Sequence, residues 1–232
     1  PGVSIVVPVL NEAENIAPLI AEIRSALATL GPFEIIYVDD GSVDATPEVL
    51  EREAENCPEL VIVRHSIASG QSAAIRTGVI SARAPVIVTI DGDGQNDPAD
   101  IPMLLATYFE SRDRKRLMIA GHRTQRKDVW GKRISSRVAN TVRSILLDDG
   151  TLDTGCGLKI ISREAFLAMP AFDHMHRFLP ALMIGQGGRV ISIMVNHRSR
   201  MRGKSNYGIF DRLFVGIIDL FGVLWLKRRS LQ

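Results

Sequence analysis

The sequence predicts an α/β fold with a mostly parallel central sheet flanked by helices, and two observations predict it. Short β-branched runs recur through the first half of the chain, and helical apolar patterns separate them. Strand, helix, strand in series calls for right-handed crossovers and so for parallel neighbours. Ligands of such sheets bind beyond the carboxyl ends of the strands, so the residues after each strand carry the functional signal.

The first strand is expected over residues 3–7. Ile16, Ile20, Ile23, Leu27 and Leu30 then fall on one helix face. A second strand covers 34–38, and Asp44-Ala-Thr-Pro47 supplies capping chemistry for the next helix. Further strands are expected at 60–64, 86–90 and 117–120. After Gly121 a basic connection leads into a helical pattern near 130–147, then Asp153-Thr-Gly-Cys-Gly157, a strand at 158–162 and another at 190–195. From Phe210, apolar residues at 213, 214, 217, 218, 221, 224 and 225 recur at helical spacing, with Asp211, Arg212 and Asp219 off the stripe and Lys227-Arg-Arg229 directly after it. That pattern fits a core-facing terminal helix and a membrane-interface helix about equally. No linker or internal repeat divides the chain. One domain over 1–208 with an amphipathic helix over 209–232 is the expected organisation.

Composition narrows the class. Of 232 residues, 46% are hydrophobic and 23% charged, which excludes disorder and collagen-like repeats. The two cysteines, Cys57 and Cys156, cannot build a disulfide framework or a four-ligand zinc site, and a reducing compartment is the simpler reading. No apolar run reaches the roughly 18 residues a spanning helix needs, and the opening residues lack the pattern of a secretion signal. The net charge of +2 conceals polarity: residues 1–60 carry twelve acidic and two basic side chains, residues 112–143 two acidic and eleven basic. The second segment is thus suited to an anion.

The motifs after the strands specify the chemistry. The first strand runs into Pro8-Val-Leu-Asn11-Glu12 and not into the Gly-rich turn of a dinucleotide fold, which demotes hydride chemistry. The second ends in Asp39-Asp40-Gly41-Ser42, whose carboxylates suit the N–H groups of a base or ribose hydroxyls. The fourth ends in Asp91-Gly-Asp93-Gly-Gln95. Two carboxylates and an amide oxygen at alternate positions can face one point, and hard oxygen ligands favour Mg²⁺ or Mn²⁺. His174 and His176 offer a metal pair, but with no third ligand near them a loop bordering an acceptor site is preferred. Cys156 is expected to pack.

Together with Gly70-Gln-Ser-Ala-Ala74, these motifs resemble the inverting family 2 glycosyltransferases of GT-A fold, within them the dolichol-phosphate mannosyltransferase and polyprenyl-phosphate glycosyltransferase group. Arg123, Lys132-Arg133-Ile-Ser-Ser136, Asp153-Thr-Gly-Cys156 and Arg200-Met-Arg-Gly-Lys-Ser205 extend the resemblance. It implies a GDP- or UDP-linked sugar donor, with Pro8, Asn11, Glu12 and Asp39 or Asp40 towards its nucleoside. Asp91, Asp93 and Gln95 would hold the metal on its diphosphate. Arg123, Arg133, Lys132 and Ser136 would meet the phosphate of a polyprenyl acceptor, Arg200 would lie near the donor phosphates, and Ser205 would belong to the substrate-binding set. The sequence departs from the group at Asn206, where Lys is usual, and at Gly92, where Ala is frequent and the change conservative in size.

A lipid phosphate is already ionised near neutral pH and can attack an anomeric carbon without a general base. Charge neutralisation by metal and arginines is what remains to be supplied. Asp93, Arg123 and Arg133 are therefore the expected catalytic set, at the cytoplasmic face of a membrane and with no nucleic-acid partner. The rival readings are a family 2 transferase with a soluble or polysaccharide acceptor, and a non-catalytic nucleotide- or nucleic-acid-binding module.

Overall fold

The computed structural model describes residues 1–123, 147, 150, 151, 153–199 and 209–229, the last segment as backbone alone up to 217. Seven strands form one sheet: β1 (Val3–Val9), β2 (Phe33–Asp39), β3 (Leu60–Arg64), β4 (Val86–Thr89), β5 (Leu117–Arg123), β6 (Lys159–Ser162) and β7 (Arg189–Val195). Their order is β3-β2-β1-β4-β6-β5-β7. All neighbours are parallel except β6, which runs antiparallel to both β4 and β5. The chain steps outward from β1 to β2 and β3, then returns to place β4 on the other side of β1. The carboxyl ends of β1 and β4 therefore flank a topological switch point, where a parallel sheet opens a crevice.

β-Branched residues fill β1, β2 and β4 because both faces of these strands are covered. On one face α1 (Ala13–Leu27), α2 (Thr46–Ala54) and α4 (Ile101–Glu110) bring Ile16, Ile20, Ile23, Leu50 and Leu104 onto the sheet. On the other, α3 (Gln71–Ser81), α5 (Arg163–Ala168), α6 (Leu179–Gly185) and α7 (Ile209–Arg229) contribute Ala74, Val79, Phe166, Leu182 and Val223. At the end of the sheet away from the crevice, buried Glu34 accepts from Ser4 Oγ (2.6 Å) and from Arg83 N and Nε (both 2.7 Å), which satisfies an otherwise costly charge.

Three expectations change. α1 stops at Leu27, before Gly31 (φ +88°) and Pro32, so Leu30 leaves the apolar face and is 49% exposed. Helices α3, α4, α5 and α6 are additions to the sequence reading. The C-terminal stripe does not face the core as one: of its described side chains Leu224 packs on the core, beside off-stripe Leu220 and buried Val223, while Ile218, Phe221 and Trp225 are 57, 64 and 60% exposed. The expected helix near 130–147 lies outside the described residues apart from Leu147, which is buried.

Candidate active site

The loops after β1 and β2 are fastened to each other. Asn11 adopts a left-handed backbone (φ +56°), which Asn tolerates better than most residues. Its Oδ1 accepts from Val43 N (2.9 Å) and its N–H donates to Ser42 Oγ (2.9 Å). Glu12 N donates to Thr46 Oγ1 (3.0 Å), and Glu12 Oε2 accepts from Asn15 Nδ2 (2.6 Å). The adjacent carboxylates of β2 then differ in what they can do. Asp40 accepts from Ser69 N (2.9 Å), Gly70 N (2.8 Å) and His65 Nδ1 (2.7 Å), and pins the loop that leads into α3. Asp39 is fully buried and accepts from Ser42 N (2.9 Å) through Oδ1, while its Oδ2 has no hydrogen-bond partner; Arg64 Nε stands 3.3 Å away, as an ion pair only. Asp39 is thus the acceptor with capacity to spare.

Across the crevice, β4 delivers the acidic turn. Asp91 Oδ1 accepts from Gln71 Nε2 (2.9 Å) at the start of α3, and Asp93 Oδ1 accepts from Gln95 N (3.1 Å). Gln95 O accepts from Arg198 N (2.9 Å), and Arg198 itself pairs with Glu22 and Asp97, each at 2.6 Å. Two glycines make the turn possible by close approach. A Cβ on Gly157 would stand 2.3 Å from Asp91 Cγ, so the carboxylate lies flat against bare backbone. A Cβ on Gly92 would stand 2.4 Å from Val9 Cγ1 and 2.9 Å from the Pro8 carbonyl oxygen. The exchange of Gly and Ala at 92 is therefore not conservative in size here, contrary to expectation.

Beneath the turn lies a group of residues that the motifs only partly announce. Arg123, at the end of β5, forks onto Asp153 with Nε to Oδ2 at 2.6 Å and Nη2 to Oδ1 at 2.8 Å, the Asp153 side chain being buried and that of Arg123 13% exposed. Lys159, in β6, is also buried and donates to the Cys156 carbonyl. Burial draws the Lys159 pKa down, opposed by Cys156, Asp91 and Asp153. Cys156 is fully buried, as expected of a packing residue. Gln71 stood within the Gly70-Gln-Ser-Ala-Ala74 motif without a role of its own, and Lys159 escaped the sequence reading, because a lone polar residue opening an apolar run gives no signal of its own.

His174 and His176 do not converge on a common point. His176 is half-buried, with Nδ1 2.7 Å from Ser72 Oγ, and desolvation with the nearby Arg177 and Lys159 charges pushes its pKa down to about 3. His174 Nδ1 lies 3.1 Å from Asp219 Oδ2 of α7. Lys132, Arg133, Ser136, Arg200 and Ser205 lie outside the described residues.

Among the described residues no three His, Cys, Asp or Glu side chains gather as a ready cation cage. Asp91, Asp93 and the Gln95 amide fit a divalent ion that takes its remaining oxygens from a ligand, the usual habit of Mg²⁺. Asp91 carries the cost of this arrangement. Burial, then the Asp93 charge, raise its pKa to about 6, against the opposing pull of Lys159, Arg123 and Gln71. A carboxyl whose folded pKa lies above its ordinary value favours folding at low pH, and that contribution disappears as pH rises through about 6. Asp91→Asn is accordingly expected to melt roughly 5 °C higher than the parent at pH 7.5 in EDTA and at the same temperature at pH 4, as read by calorimetry.

The model of glycosyl transferase family 2 matches residues 4–168. The chain is 36% identical to dodecaprenyl-phosphate galacturonate synthase of Rhizobium johnstonii over 97% of its own length and 67% of that protein. It is 33% identical to undecaprenyl-phosphate 4-deoxy-4-formamido-L-arabinose transferase of Edwardsiella ictaluri over 89% of this chain and 63% of that one. The chain thus spans about two thirds of the length of these relatives. In fold it is similar to glucosyl-3-phosphoglycerate synthase of Mycobacterium tuberculosis, crystallised with Mn²⁺ and UDP-glucose, with a TM-score of 0.72 at 17% identity over 97% of this chain and 78% of that one. This likeness shows the GT-A fold. With the acidic turn at the switch point of that sheet and the family match running through β1 to β6, the chain belongs to glycosyl transferase family 2.

Proposed function

We propose that this domain transfers one sugar, with inversion, from a nucleotide-sugar donor to a polyprenyl phosphate at a membrane surface. The observation that carries the reading is the placement of Asp91 and Asp93 at the carboxyl end of β4, across the switch-point crevice from buried Asp39, whose Oδ2 accepts no hydrogen bond. Asp39 Oδ2 would accept from the donor base, and the Pro8–Glu12 segment would wall the nucleoside. Asp40 and Asn11 act through the loops they hold. Asp91, Asp93 and Gln95 would hold Mg²⁺ or Mn²⁺, which when bound supplies charge neutralisation for the departing diphosphate. A phosphate oxygen of the acceptor forms the new bond to the anomeric carbon from the face opposite the diphosphate, and the bond to the diphosphate oxygen breaks. Arg123, held in place by Asp153, and the basic stretch containing Lys132, Arg133 and Ser136 would receive the acceptor phosphate, with Arg200 and Ser205 on the same side. The polyprenyl names of the two relatives support this acceptor over a soluble one.

The membrane part of the proposal rests on α7. Among the described residues no helix is long and apolar enough to cross a membrane. Ile218, Phe221 and Trp225 stand outward along one line of α7, while Val223 on another face is buried, and Lys227, Arg228 and Arg229 close the helix. An outward apolar line with a basic end suits the headgroup boundary of an anionic leaflet. The double variant Phe221→Ser/Trp225→Ser is expected to bind anionic vesicles about tenfold or more weakly and to lose turnover on vesicle-borne acceptor, with melting temperature and nucleotide affinity unchanged. Vesicle flotation at the parental level would refute the interface role.

A further inference from the structure

The residue least explained by the foregoing is Lys159. It sits in β6, between β4 and β5, paired in register with Thr89 and Ala120, and it is 4% exposed. The surrounding strand, Lys-Ile-Ile, is otherwise apolar. Its ammonium donates to the Cys156 carbonyl, a bond that a neutral donor could also make. Taking an ammonium out of water is expensive, and apolar side chains of similar volume are often the more stable choice. Asp91 and Asp153 attract this charge, and Arg123 is the other cation of the group. With Asp93 added, the crevice floor holds three carboxylates against two cations. Gly157 lets Asp91 lie directly on the turn whose Cys156 carbonyl Lys159 holds.

We infer that Lys159 is a positioning residue of the donor site: its buried positive charge, acting from beneath Asp91, keeps the crevice receptive to an anionic diphosphate and tempers its attraction for a bare divalent cation. The inference rests on the reading of Asp91 and Asp93 as the metal-holding pair. Removing one positive charge makes the floor more negative, so the two ligands must respond in opposite directions. Loosening of the fold would instead weaken both.

The test is a pair of titrations on the full chain, one with Mn²⁺ alone and one in EDTA with whichever of UDP and GDP binds more tightly. Lys159→Gln retains a donor for the Cys156 carbonyl without the charge, Lys159→Met removes both, and Lys159→Arg keeps the charge. The Gln and Met variants are expected to bind Mn²⁺ about tenfold more tightly and the nucleoside diphosphate about tenfold more weakly, the Arg variant staying within about twofold of the parent. Loss of both affinities together, or no change in either, overturns the inference. So does a requirement for the charge in folding itself, seen as Arg folding where Gln and Met do not. Asp93→Asn in the same titrations separates the two levels: unchanged Mn²⁺ affinity there refutes the metal reading, whereas its loss with parental behaviour of Lys159→Gln refutes the role of Lys159 alone.

Discussion

Asp93→Asn is expected to abolish metal-dependent donor binding and to lower transfer by about 10²–10³-fold while leaving the protein folded. Asp93 ends no strand and closes no core; its Oδ1 accepts from the backbone of Gln95 within the same turn. An amide can still accept that bond, so the turn persists. What is lost is one of two anionic oxygens available to a divalent ion, and an amide is a poorer partner for a hard cation. Thermal shift with nucleoside diphosphate, with and without Mn²⁺, reads the effect, because a ligand that binds only the folded state raises stability by mass action. A variant that keeps the parental Mn²⁺-dependent shift would remove Asp93 from the site.

Gly157→Ala is expected to be nearly as damaging to turnover, about 10²-fold, by a different route. The added methyl would stand 2.3 Å from Asp91 Cγ, far inside van der Waals contact, so either the Asp91 carboxylate or the Asp153-Thr-Gly-Cys-Gly157 turn has to move. The other side of Asp91 is held by Gln71, which ties any displacement to the start of α3. A displacement near 1 Å at a reacting centre costs about 10²-fold. Kinetics at saturating donor should show the loss in kcat more than in KM for acceptor. Parental kcat in a folded variant would mean that the position of Asp91 does not matter.

The legible parts of this protein were those whose residues serve one purpose. β1, β2 and β4 are buried on both faces, and continuous β-branched runs report that directly. The acidic turn after β4 was legible because carboxylates at alternate positions after a buried strand have few other uses. α3 was not, since Gln71-Ser-Ala-Ala-Ile-Arg-Thr-Gly packs small side chains on the sheet, with Gly78 against Val6 and Val38, and offers little apolar contrast. Nor was the reversal of β6, because direction is set by the connection preceding it and not by Lys-Ile-Ile-Ser itself. Asp39 and Asp40 are chemically identical in sequence; His65 and the Ser69 and Gly70 amides, the last two brought from 29 and 30 residues away, distinguish the loop pin from the open acceptor.

The terminal helix shows the same limit. Apolar residues at helical spacing were legible, but the residue that enters the core, Val223, lay off the stripe, and Phe221 and Trp225 on the stripe stand outside it. Deleting everything after Tyr207 would strip Val223, Leu220 and Leu224 from the core and mix unfolding with loss of membrane contact. Point changes at Phe221 and Trp225 separate the two.

The central claim is transfer of a sugar to a lipid phosphate, and the direct measurement is product formation. The full chain, supplied with Mn²⁺, UDP- and GDP-linked sugars and polyprenyl phosphate in anionic vesicles, is predicted to release nucleoside diphosphate in step with a glycosyl polyprenyl phosphate of inverted anomeric configuration. Nucleoside diphosphate release that proceeds equally without the lipid phosphate, or a product of retained configuration, would contradict it.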